Sequence, residues 1–148
     1  SMERIGKVLQ QHSENTLLDL LSFFELTLFS FITGNNDMHL KNFSLIENSL
    51  GQYEFSPAYD LLSTAIVMPE DKEESALTIN GKKSKLNRND FQVLATSLKI
   101  NDKSLEAIYK RFEDVLPKWI SWIKQSFLSE EMKEAYLELI QKRHQKLF

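Results

Sequence analysis

Hydrophobic positions are densest between Leu17 and Ile32, and their spacing predicts a helix. Leu17, Leu20, Leu21, Phe24, Leu28 and Phe31 form one broad apolar face, while Leu18, Phe23, Leu26, Phe29 and Ile32 make the opposite side apolar too. A helix that is apolar nearly all round has neighbours on most sides, so this one is expected at the centre of the fold. Thr16, with Asp19 three residues on, has the spacing of a helix cap, and Gly34-Asn35-Asn36 is good helix-ending chemistry. Asp19 and Glu25 interrupt the run, which is too short to span a bilayer comfortably, so a buried helix is the simpler reading. Ahead of it, Ile5, Val8 and Leu9 recur at helical spacing and predict a short helix within Glu3 to Ser13.

Beyond the apolar helix the period changes. Asn42 to Glu47 and Gln52 to Phe55 read as two short strands joined by Asn48-Ser49-Leu50-Gly51, with Pro57 closing the second because it has no amide hydrogen to donate. Leu61 to Met68 is apolar, Pro69 to Ser75 reads as a solvated acidic loop, and Ala76 to Asn80 as a short strand before a turn at Gly81. Asn87 and Asp90 begin a helix through Leu98, and Asn101 caps another that carries Leu105, Ile108, Phe112 and Val115. Pro117 is expected to kink or split that helix at Leu116, with Trp119, Ile120, Ile123 and Phe127 continuing the stripe. Ser129 caps a last helix, acidic at Glu130 and Glu131 and basic at Lys142, Arg143 and Lys146, as the macrodipole favours. His144 reads as an exposed partner of that dipole, His12 as ordinary surface, and Lys82, Lys83, Lys85 and Arg88 as a solubilising cluster. The expected fold is mainly α (α+β): one helical domain over residues 3–148 with a small β-hairpin, preceded by Ser1-Met2 as a cloning remnant or start.

Composition narrows the function classes. With 148 residues, 42% hydrophobic and 26% charged, the chain suits one globular domain with a sizeable core. A net charge of -3 argues against direct nucleic-acid binding through phosphate neutralisation. There are no cysteines, which removes disulfides and thiolate metal sites and fits a reducing cytoplasm. Residues 1–4 lack the apolar core of a secretory signal.

The chemistry concentrates in FITGNNDMHLKNFSLIENSLGQYEFSPAYD, Phe31 to Asp60. Asp37 is followed five positions later by Asn42 and, after the hairpin, by Asp60. Antiparallel pairing would bring residues 18 positions apart back together. Magnesium takes hard oxygen ligands and keeps several waters, so one or two carboxylates and an amide oxygen beside nucleotide phosphates are enough. Asn42 and Asp60 suit that work, while Asp37 suits orienting an acceptor hydroxyl. His39 and Lys41 would place positive charge near a transferring phosphoryl group. Polar residues also crowd into loops for purely structural reasons, and the weight of the reading lies in the combined wording of about thirty residues.

That wording, GNNDMHLKNFSL followed by FSPAYDLLS and then ALTINGKKSKLNRNDFQVLATSLKI over Ala76 to Ile100, resembles the HipA-like kinases, the bacterial toxin-type serine/threonine kinases. The likeness covers nearly the whole chain and corresponds to the helical C-terminal lobe. It implies that Asp37 is the catalytic aspartate, assisted by His39 and Lys41, that Asn42 and Asp60 are the Mg2+ and ATP ligands, and that Asp60 is the counterpart of the DFG aspartate. It further implies protein serines as acceptors, aminoacyl-tRNA synthetases among them, and an antitoxin partner. The context here is YDLLS rather than DFG, and DxHxxN is similar to the pattern of phosphoinositide kinases, which leaves the acceptor class open.

The four glycines, at 6, 34, 51 and 81, form no GxGxxG cover for ATP phosphates, so an N-terminal kinase lobe is expected in cis or on a separate chain. The rival reading is a noncatalytic module, derived from a kinase lobe, that docks a partner or antitoxin. Three metal-type side chains in one stretch favour the first. The chain on its own is expected to bind ATP weakly and to transfer phosphate slowly or not at all. A phosphotransfer assay that gave robust turnover, abolished by Asp37→Ala, would contradict this.

Overall fold

In the computed structural model, which describes residues 1–148, the chain runs through α1 (Met2–His12) and α2 (Thr16–Thr33) to a single 3-10 turn at Leu40–Asn42. The hairpin of β1 (Leu45–Glu47) and β2 (Tyr53–Phe55) follows, and then α3 (Thr64–Val67), α4 (Arg88–Ser97), α5 (Asp102–Gln125) and α6 (Glu130–His144). The architecture is mainly helical with one two-stranded antiparallel sheet, as expected.

α2 is the centre. Phe23, Phe24, Leu28, Phe31 and Ile32 are buried, and α1, α4, α6 and β2 pack around the helix. Each such side chain contributes about 1.5–3 kcal/mol by leaving water. On length and composition α2 could cross a membrane, yet most of it is buried inside this fold, with Leu17 and Leu18 exposed at its first turn.

Asp19 does not close a capping box with Thr16. Its carboxylate accepts from Ser13 Oγ at 2.5 Å and from the Phe55 amide at 2.7 Å, while Thr16 Oγ1 donates back to Ser13 O. Asp19 therefore ties the start of α2 to the second strand. Phe43 and Phe55 complete the attachment, meeting the Phe23 ring edge-on at centroid distances of 5.5 and 6.0 Å. A two-stranded hairpin is marginal alone, so these contacts hold it. Its register pairs Leu45 with Phe55 and Glu47 with Tyr53. Pairing starts later than the sequence reading placed it, because Asn42 belongs to the preceding turn.

Ala76 to Asn80 is not a strand, since only Ile79 and Lys82 pair across the turn and no second strand lies alongside. Its apolar residues are anchors: Ala76 and Ile79 are buried. The acidic run before it is only partly solvated, because Glu74 turns inward to pair with Lys146 and accepts from the Leu86 amide at 2.8 Å. The basic cluster is largely structural as well. Lys82 pairs with buried Asp90 at 2.8 Å, Lys83 with Glu73 at 3.1 Å, and Arg88 with Glu106 at 3.0 Å while lying over the Tyr109 ring. Met2, read as a leading remnant or start, is buried, and its amide donates to Thr78 O at 3.0 Å.

Pro117 neither ends nor splits α5, which continues from Asp102 to Gln125. One amide hydrogen is lost in a helix of 24 residues, and the packing on either side outweighs it: Trp119 meets Phe29 and Phe112 edge-on at 5.5 and 5.7 Å. His144 is not an exposed dipole partner. It stacks on Phe148 at 4.1 Å, and burial pulls its pKa below the ordinary histidine value against the opposing pull of Glu113.

Asn87 and Asp90 do form the expected capping box. Burial alone would raise the Asp90 pKa, but hydrogen bonds from Lys82, Asn80 and the Asn87 amide outweigh it and hold the carboxyl below the usual range. A depressed folded-state pKa contributes stability above the unfolded value, and that stability is lost as pH falls through the folded one. Asp90→Asn is therefore expected to destabilise the fold by about 2 kcal/mol at neutral pH. The difference from the parent should shrink as acid takes both below about pH 4, in urea unfolding followed by circular dichroism.

Candidate functional site

The site begins where α2 stops. Gly34 adopts the left-handed conformation, φ 74°, and its amide closes the helix onto Phe31 O. A side chain has no room there, because a Cβ would stand 2.5 Å from Leu139 Cδ2 and 2.9 Å from Ala65 Cβ. The carbonyl of Gly34 accepts from the Ala65 amide at 3.0 Å, which fastens the helix end to α3.

Asn35 and Asn36 are buried and brace the loop from both sides. Asn35 donates to Asp60 O at 3.4 Å, and its side-chain oxygen accepts from the Asp37 amide at 3.4 Å. The Asn36 amide donates to Thr64 Oγ1 at 3.0 Å, and its side-chain oxygen accepts from Arg143 at 3.2 Å. Asp37 then emerges half-exposed, its Oδ1 2.7 Å from His39 Nε2.

Asn42 is buried at 4% exposure and lies between the two aspartates. Its Nδ2 donates to Asp37 O at 3.3 Å and to Asp60 Oδ2 at 2.9 Å. The chain thus gathers the Asn42 amide, the Asp60 carboxylate and the backbone of Asp37 into one cluster, with His39 on the Asp37 carboxylate. Lys41 contributes only its carbonyl, which accepts from Tyr59 Oη at 2.9 Å, and its ammonium makes no ion pair within the chain. Asp60 sits at φ 56°, a left-handed conformation that aspartate tolerates better than most residues. No three His, Asp or Glu side chains converge as a self-sufficient metal cage, so the cluster offers a cation one carboxylate and one amide.

Two clefts flank the loop. Leu40 borders an apolar groove of about 430 Å³ between α1 and the hairpin, and Asn36 borders one of about 900 Å³ between α3 and α6.

Residues 1–120 match the HipA-like C-terminal domain family. The chain belongs to that family. Among curated proteins it is similar to "Putative kinase" of Haemophilus influenzae (strain ATCC 51907 / DSM 11121 / KW20 / Rd), 37% identical over 65 residues, which is 44% of this chain and 19% of that one. It is also similar to "Putative kinase Y4dM" of Sinorhizobium fredii (strain NBRC 101917 / NGR234), 38% identical over 67% of this chain and 24% of that one. The chain therefore spans about a fifth to a quarter of the length of these relatives. Its fold matches a chain in the Shewanella oneidensis MR-1 toxin-antitoxin complex of HipA, HipB and operator DNA, with a TM-score of 0.81 at 20% identity, covering 98% of this chain and 35% of that one.

Within this HipA-like domain the sequence reading missed Asn35, Asn36, Thr64 and Arg143. The two asparagines looked like generic helix-ending residues, and α3 follows no apolar period. Arg143 carried a usable signal: Tyr136, Ile140, Arg143 and Leu147 are spaced four, three and four apart, which puts the arginine on the inward face of α6. Gly34→Ala is expected to cost about 1–3 kcal/mol, combining left-handed strain with the collisions at Leu139 and Ala65. The amide resonances of Asn35 to Asp37 should shift more than those of α5 in a two-dimensional NMR spectrum; uniform shifts would count against a local effect.

Proposed function

We propose that the chain is the catalytic lobe of an ATP-dependent, HipA-like serine/threonine kinase, a cytoplasmic toxin of a toxin-antitoxin pair. The observation that carries this reading is the hydrogen bond from Asn42 Nδ2 to the Asp60 carboxylate, made while the same amide holds the Asp37 carbonyl. That arrangement turns the asparagine's nitrogen toward the protein and leaves its Oδ1 without a hydrogen bond from the chain.

An amide oxygen and a carboxylate are a fitting donor set for Mg2+, which keeps waters and takes its remaining ligands from nucleotide phosphates. Asn42 Oδ1 and Asp60 would hold it. The chemistry Mg2+ would supply there, with ATP, is neutralisation of phosphate charge. Asp37 is half-exposed and takes the acceptor hydroxyl, orienting it and receiving its proton late in the transfer. His39, bonded to the same carboxylate, fixes which oxygen faces the hydroxyl. Lys41, free of ion pairs, lies in the same loop and is available to developing negative charge.

The acceptor in this reading is a protein serine, and the phosphate-gripping lobe lies elsewhere in the same polypeptide or on a partner chain. The apolar groove beside α1 supports a second reading, a docking module for a partner or antitoxin, because it exposes apolar residues that no part of this chain covers.

Calorimetry on the chain joined to its phosphate-gripping lobe separates the two. Asp60→Asn should weaken Mg-ATP binding at least tenfold, about 1.4 kcal/mol, and leave metal-free ATP binding unchanged. Asp37→Ala should retain that affinity and lower phosphoryl transfer by about 10²–10⁴. Equal Mg-ATP affinity in the parent and Asp60→Asn would favour the docking module.

A further inference from the structure

Arg143 is only 5% exposed, although it stands in the last turn of a helix whose neighbours Lys142 and Gln145 face water. Its guanidinium reaches the end of α2, the loop that directly follows it and a distant segment beyond α3. It donates to Phe31 O at 3.1 Å in the last turn of α2, to Asn36 Oδ1 at 3.2 Å in the loop, and to Glu74 O at 3.5 Å beyond α3. The plane of the fork lies over the Phe31 ring, 4.7 Å from its centroid. Its nearest carboxylate, Glu74, is 3.9 Å from Nε and is engaged by Lys146 and the Leu86 amide.

Most of these partners are neutral oxygens. A buried charge satisfied mainly by carbonyls is a poor device for stability alone, since an apolar side chain of similar size often does as well or better. Ile140 on the same face of α6, and Leu147 just past its end, already anchor the helix in that way. Desolvation pulls the Arg143 pKa below the ordinary arginine value against the opposing pull of Glu74, consistent with a group held at a cost. What an apolar residue could not supply is a planar fork that fixes several acceptors at set angles.

We infer that Arg143 is a positioning residue for the loop that carries Asp37. It clamps the side chain of Asn36, whose backbone amide donates to Thr64 Oγ1, and so sets the direction in which the next residue leaves the buried part of the loop. Thr64 Oγ1 in turn lies 3.5 Å from Gly34 O, so α3 touches both the helix end and the loop, and Arg143 adds the tie from α6. The role in turnover rests on the kinase reading above; the mechanical role does not.

The test uses Arg143→Met, Arg143→Lys and Asn36→Ala in the full chain, with two independent measurements. Native-state hydrogen exchange should accelerate at least about tenfold at the amides of Asn36 and Asp37 and stay within about twofold at Leu94 and Ala95 in α4. Asn36→Ala should reproduce this without unpairing the arginine from Phe31 or Glu74, which keeps the test decisive if Arg143→Met does not fold. In the complete phosphorylating protein or complex, each variant should lower kcat about 10- to 100-fold and hold KM for Mg-ATP within about threefold, with lysine failing to rescue. Exchange that rises evenly across all helices, exchange unchanged in the loop, a loss confined to KM, or full rescue by lysine would each overturn the proposal. If the unaltered complex transfers no phosphate, the kinase reading falls by itself, and the exchange pattern still decides whether Arg143 positions the loop.

Discussion

Phe23, Phe24, Leu28, Phe31 and Ile32 lose their water to α1, α4, α6 and the hairpin, and that burial fixes both the axis of α2 and the point at which it ends. Everything chemically suggestive hangs from this end point. A helix free to slide or rotate would carry Gly34 with it, and Gly34 fits only where Leu139 and Ala65 leave room for a residue without a side chain. The core thus determines the position of the loop before any polar contact in it is made.

Polar contacts then convert position into orientation. Asp19 binds the hairpin to the start of the same helix whose end carries the loop, so Asn42 and Asp60, on either side of the hairpin, are referred to one rigid body. The asparagines after Gly34 reach outward to Asp60, Thr64 and Arg143. Three separate stretches of chain, at Asp60, Thr64 and Arg143, meet at a loop of nine residues, 34–42, and little of that loop's backbone is free to choose its own path. This is the kind of support that a site built from one carboxylate and one amide requires, since it has no cage of ligands to hold itself in shape.

The sequence disclosed the parts whose cause is local. The apolar circumference of α2, the helix stop at Gly34 and the Asn87–Asp90 and Asn101 caps all follow from spacing and side-chain chemistry within a few residues, and each is present. The grouping of Asn42 with Asp60 was legible because a hairpin of known length separates them. What was not legible depends on partners distant in the chain. Asp19 looked like a cap because its hairpin partner lies 36 residues away, Glu74 like part of a solvated run because Lys146 lies 72 away. Pro117 was read as a kink or a split, and the split is absent: Asp102–Gln125 is one helix, with Trp119 packed on Phe29 and Phe112. Arg143 joins the loop across 107 residues, and only the period of its own helix hinted that it faces inward.

The left-handed backbone at Asp60 carries an implication for how such a domain changes over generations. Glycine would relax that conformation but would also take away the carboxylate to which the buried Asn42 Nδ2 donates, so aspartate meets two demands at once, a backbone it tolerates and an acceptor for a buried amide. A descendant with glycine there would keep the turn and leave the Asn42 side chain to find another acceptor, so residues 42 and 60 are expected to change together.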